Sequence, residues 1–154
     1  MPAEHAPCAC TTLRKASRAV TRFYDEALRP TRLTTTQFAV MRAVHRAGKV
    51  PMSHVAETLV MDRTSLYRSV APLLRAGDLQ SVSSEEDSRA KFLQLSTSGK
   101  RRMARAARNW AVAQRQMVQK IGSARWLELS QWLLEATEHA LALEPLEAKE
   151  PGVP

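Results

Sequence analysis

The run Met61-Asp62-Arg63-Thr64-Ser65-Leu66-Tyr67-Arg68-Ser69-Val70-Ala71-Pro72-Leu73-Leu74-Arg75-Ala76-Gly77 reads as one capped helix with two unlike faces. Asp62 supplies an N-cap oxygen and Gly77 a stop. Leu66, Val70, Leu73 and Leu74 recur at helical spacing and form a face that needs burial. The other face carries Arg63, Thr64, Ser65, Tyr67, Arg68 and Ser69. Pro72 falls inside the helix, where it removes a donor and favours a bend. Tertiary packing must override that conflict, or the helix must kink there.

Upstream, a break at Val60 and Met61 separates this helix from a brief one. Ser53 is its expected cap, with Val55, Ala56 and Leu59 turned inward. Val50 and Pro51 are extended. Before them a helix capped by Thr34 or Thr35 buries Phe38, Val40 or Met41, and Val44, and stops at Gly48. The first helix starts at Thr11 or Thr12 and ends before Pro30. Its stripe is Leu13, Ala16, Val20, Phe23 with Tyr24, and Ala27. Downstream, Leu79 to Ser83 and Lys91 to Leu95 alternate as strands. The polar loop Ser84-Glu85-Glu86-Asp87-Ser88-Arg89 joins them. A long helix follows over 98–120, with Met103, Ala106 or Ala107, Trp110 and Met117 in its stripe. Gly122 and Ser123 break it. A last helix covers 124–143, and 145–154 is a polar tail expected to be disordered.

The fold class is therefore mainly α with a small β-hairpin wing. Three short helices followed by a hairpin suit duplex DNA. A helix enters the major groove and a hairpin reaches a neighbouring minor groove. Arginine pairs with guanine edges, hydroxyls meet bases or phosphates, and the helix N-terminus offers amide donors. The bland alternative is that Arg63 and Arg68 are solvated surface charges. Tyr67 either stacks on sugar and phosphate or packs inside.

Charge supports a polyanionic partner. The formal net charge is +8, a statement about partners and not about fold. Residues 14–46 hold eight Lys or Arg against two acids, and 99–120 hold seven against none. The stretch 121–154 reverses this, with two basic and six acidic side chains. No apolar run spans a bilayer and Met1 to Pro7 has no signal pattern, so a cytoplasmic, non-membrane protein is expected. His5, His45, His54 and His139 show no ligand spacing. With no glycine-rich phosphate loop and no serine elbow, neither an enzyme, a cofactor nor a metal site is expected.

Residues 34–99 resemble the DNA-binding domain of the MarR family of transcription regulators. Met61 to Val70 is similar to that family's recognition helix, and Leu73 to Leu79, around Gly77, to its exit. Asp87-x-Arg89 followed by Leu95, Ser96 and Gly99 is similar to the family's wing signature, with Ser96 in the threonine place. Tyr24-Asp25-x-x-Leu28-x-Pro30 is also similar. The resemblance implies a winged helix-turn-helix at 34–97 between an N-terminal dimerisation helix at 11–33 and C-terminal dimerisation helices at 98–144; residues 1–10, with Pro2, His5, Pro7 and no apolar period, read as a flexible or loosely docked arm. It implies a homodimer on a palindromic operator, most simply a repressor. It assigns Arg89 to the minor groove or backbone and Asp87 to wing support. Ser81, Ser83, Glu85 and Glu86 make this wing less basic than many in the family, and Lys91 supplies part of the missing charge.

Two signals could release the DNA. The resemblance implies a small aromatic effector, for which Phe23, Phe38, Met41 and Trp110 are candidate lining residues and equally good core residues. Cys8 and Cys10, just before the first helix, are candidate redox thiols. A metal site across two arms and idle side chains are the competing readings. A non-specific or architectural DNA-binding protein would share the basic helices and the wing. A protein-interaction module would share the fold.

Overall fold

A computed structural model describes residues 7–83 and 91–143. Asp87 and Arg89, the loop they sit in, the first six residues and the tail after Leu143 lie outside the described residues. The elements run α1 (Ala9–Leu28), α2 (Thr35–Ala47), β1 (Val50–Pro51), α3 (Met52–Thr58), α4 (Arg63–Arg75), β2 (Leu79–Ser83), β3 (Lys91–Leu95), α5 (Thr97–Ile121) and α6 (Ser123–Ala142). The chain divides into two compact units, Met1–Gln114 and Arg115–Pro154.

In the first unit, local chemistry sets each boundary. Thr34 and Gln37 form a reciprocal capping box at α2: Thr34 Oγ1 accepts from the Gln37 amide at 3.2 Å, and Gln37 Oε1 accepts from the Thr34 amide at 3.0 Å. Asp25 of α1 adds a second cap, accepting from the Thr35 amide at 2.6 Å and its hydroxyl at 2.7 Å. Two boundaries differ from the periodicity. Helix α1 begins at Ala9, because the Thr12 amide already bonds the Cys8 carbonyl at 2.9 Å. That first turn is solvent-exposed, so no apolar stripe marks it. Helix α3 begins at Met52 with Pro51, extended and lacking an amide donor, at the N-cap. Ser53 therefore lies inside the helix and does not cap it.

Three antiparallel strands form one sheet in the order β1-β3-β2. Val50 pairs with Leu93, and Leu79 with Leu95. Leu79, Leu93 and Leu95 turn to the core, where they meet Phe38, Met41 and Val44 of α2 and Leu66, Val70 and Leu73 of α4. Burial of each such side chain contributes about 1.5–3 kcal/mol. That accounts for the survival of α4 around Pro72. The helix runs through the proline, whose carbonyl accepts from the Ala76 amide at 3.0 Å, and the buried leucines on either side hold it there.

The second unit takes the end of α5 and all of α6. Gly122, at φ 93°, makes the turn that a side-chain-bearing residue would resist. No residue of α6 is buried, and Leu127, Leu129, Trp132, Leu134 and Leu141 are exposed.

Candidate nucleic-acid interface

Helix α4 presents the face read from the sequence. Asp62 caps it, accepting from the Ser65 amide at 2.8 Å and the Ser65 hydroxyl at 2.6 Å. These bonds hold the Asp62 carboxyl below the usual carboxylate range. Leu66 and Val70 face the core, which leaves Arg63, Thr64, Tyr67 and Arg68 exposed together. Tyr67 is 61% exposed, so it is not packed inside. Ser65 and Ser69 are half-buried, and both hydroxyls are used locally. Ser69 donates back to the Ser65 carbonyl at 3.1 Å. Neither Arg63 nor Arg68 forms an ion pair among the described residues.

The joint between α3 and α4 is tight. Val60 adopts φ 51°, a left-handed conformation unusual for a β-branched residue. It lets the Met61 amide bond the Ala56 carbonyl at 2.9 Å, closing α3 before Asp62 opens α4. After α4, Lys91 begins β3 opposite Ser83, at the end of the β2–β3 ladder away from the Leu79–Leu95 pair.

The four candidate pocket residues separate. Phe38 and Trp110 lie together, ring centroids 6.3 Å apart. Met41 is fully buried in the core. Phe23 sits on α1, 36% exposed, edge-on to Tyr24. Sequence reasoning missed Arg42. Its guanidinium lies 4.7 Å over the Trp110 ring and 5.7 Å from that of Phe38. Burial, and next the Arg46 charge, lower its pKa. A cavity of about 320 Å³ is lined there by Arg42, His45, Arg46, Met103, Ala107 and Trp110. Arg42 follows Phe38 by one helical turn, a visible signal, but its pairing with Trp110 is long-range.

Cys8 and Cys10 are free and exposed. Cys8 occupies the N-cap of α1. Its thiol makes no capping bond, yet the Thr11 hydroxyl and amide lower its pKa. Among the described residues no three His, Cys, Asp or Glu side chains are grouped as a metal site would need. No helix of the described residues is long and apolar enough to cross a membrane.

Comparison with known proteins places this geometry. Residues 33–99 match the family described as winged helix DNA-binding domain. The Mycobacterium tuberculosis transcriptional regulator MosR, solved in complex with DNA, is 28% identical, with a TM-score of 0.76 over 89% of this chain and 100% of that one. The transcriptional repressor CouR, solved on a DNA duplex, is 21% identical, with a TM-score of 0.78 over 84% of this chain and 92% of its own. A cysteine-to-serine mutant of MarR from Escherichia coli, solved with operator DNA, is 17% identical, with a TM-score of 0.75 over 82% of this chain and 91% of its own. A search of curated protein sequences found no match. The chain is a winged helix-turn-helix protein, and its structural relatives are transcriptional regulators of the MarR family.

Proposed function

We propose that this protein is a sequence-specific, duplex-DNA-binding transcription regulator that acts as a homodimer on an inverted repeat and represses by occluding a promoter. The observation that carries the reading is the joint exposure of Arg63, Thr64, Tyr67 and Arg68 on the outer face of α4, inside a domain that matches a DNA-binding family. Ser65 and Ser69 border that face. Arg89 and Lys91 add wing contacts, and Asp87 supports the wing, on the strength of the sequence. The boundaries follow the sequence reading except at the start, where the first dimerisation helix begins at Ala9 instead of residue 11: an arm before it, dimerisation helices to residue 33 and at 98–144, the reading domain at 34–97, and a tail from 145. The exposed leucines and Trp132 of α6 favour a partner copy over a solvated helix.

Release follows one of two signals. The cavity beneath Arg42 pairs cationic side chains with the Trp110 ring and suits an aromatic anion; Phe38 adjoins it, while Met41 and Phe23 serve packing in this reading. The lowered pKa of Cys8 favours its thiolate, the form that oxidants attack, with Cys10 as its neighbour. Band-shift titration at stated salt, with random duplex as competitor, separates specific from architectural binding. Sizing with light scattering tests the dimer: a mass near 17.2 kDa contradicts it.

A further inference from the structure

Asp78 is a buried charged residue, 4% exposed, at the exit from α4 into β2. Its amide bonds the Leu73 carbonyl at 2.9 Å, at the end of α4, and its carbonyl accepts from the Ser96 amide at 3.0 Å. The Ser96 hydroxyl donates to the Gly77 carbonyl at 2.6 Å. Above this turn stands Arg102 of α5, whose side chain is 20% exposed. One Arg102 nitrogen pairs with the Asp78 carboxylate. Nε donates to the Thr31 carbonyl at 3.0 Å, and the remaining nitrogen to the Arg32 carbonyl at 2.7 Å. Arg32 has φ 55°, so the link between α1 and α2 is itself in a constrained turn.

One guanidinium thus ties three places together: the end of the reading helix and start of the wing, the first half of α5, and the link after α1. A buried ion pair contributes little net stability compared with apolar residues of the same volume. Its geometry is what an apolar pair cannot copy. The planar fork of arginine satisfies three acceptors in fixed directions, which a lysine ammonium does not do.

We propose that Arg102 and Asp78 are positioning residues that fix the reading helix relative to α1 and α5, and thereby set the half-site spacing the protein accepts. The proposal rests on the dimer-on-palindrome reading above, in which α1, α5 and α6 carry the partner contact and α4 reads the base pairs. Two reading helices match two half-sites only at one separation, and each added base pair moves a half-site by about 3.4 Å and turns it around the axis. A rigid joint penalises that shift, and a loosened joint tolerates it.

The test uses the full chain and an operator selected by the parent, with the centre of the repeat shortened by one base pair, unchanged, or lengthened by one or two. The parent binds the unchanged spacing far more tightly than the others. Arg102→Lys retains the charge and loses the fork; its preference for the unchanged spacing falls about ten-fold, the size of an ordinary coupling between contacting residues. The double variant Asp78→Leu, Arg102→Met fills the same volume without charges and shows the same loss. Both are checked for helical content and dimer mass. A purely structural role weakens every spacing by one common factor, and that result in either folded variant overturns the proposal. A parent with a flat spacing profile overturns the palindrome reading and the positioning role with it. A sharp parent profile that both variants keep removes the positioning role alone.

Discussion

Gly99 lies so close to the Asp78 carbonyl that a Cβ built on it would stand 2.0 Å from that oxygen. The neighbour is backbone, held by the Ser96 amide, and cannot swing aside. Gly99→Ala therefore destabilises the fold by about 1–3 kcal/mol or more, as overpacking does. Urea unfolding measures it. A variant as stable as the parent would mean that α5 is not seated on the Gly77–Asp78 turn.

Asp62 makes a pH-dependent contribution. Its folded pKa lies below the ordinary carboxylate value because Ser65 donates to it. The charged cap therefore stabilises above the unfolded pKa of about 3.9 and loses its effect as pH falls through the lower folded value. Asp62→Ala is expected to be less stable than the parent at pH 6, with the gap closing towards pH 3. Urea midpoints at the two values check this. A gap of equal size at both would show that charge has no part in the cap.

Much of this was legible because its causes are local. The leucine spacing of α4, the oxygen of Asp62 and Gly48 as a helix stop depend on residues within a turn or two. Boundaries failed where a local signal was missing or misleading. Ser53 has cap chemistry, but Pro51 ends β1 and starts the helix first. The first turn of α1 has no buried face to betray it. Val60 is a poor choice for a left-handed turn, and only the two helices it joins explain its φ. The Arg102 contacts join residues 24 and 71 positions away, and Arg42 of α2 meets Trp110 of the distant α5. No periodicity encodes such pairs. Of the candidate DNA face, the spacing places Arg63, Thr64 and Arg68 outside, where they lie exposed; it leaves Tyr67 open, and Ser65 and Ser69 are half-buried with their hydroxyls bonded within the helix.

Cys8 should react before Cys10. Its lowered pKa raises the thiolate fraction at neutral pH, and both thiols are exposed, so access does not distinguish them. Brief alkylation at pH 7, followed by fragment mass spectrometry, is expected to find label first on Cys8. Label appearing first on Cys10 contradicts the assignment of Cys8 as the reactive thiol.

Arg68 is expected to read sequence. Arg68→Ala should weaken operator binding by about 1–3 kcal/mol if a bidentate base contact is lost. Affinity for random duplex should change much less. Titrations at matched salt on both duplexes measure this. Equal losses on the two would make Arg68 a phosphate contact and shift base reading to Arg63, Thr64 or Tyr67.

Paired reading of duplex DNA by two copies of α4 is tested by selecting duplexes from a random-sequence pool with the purified protein. Enrichment of an inverted repeat is expected, with half-sites about one helical turn apart, roughly 10 base pairs centre to centre. A pool that stays random, or one that enriches a single unpaired site, contradicts it.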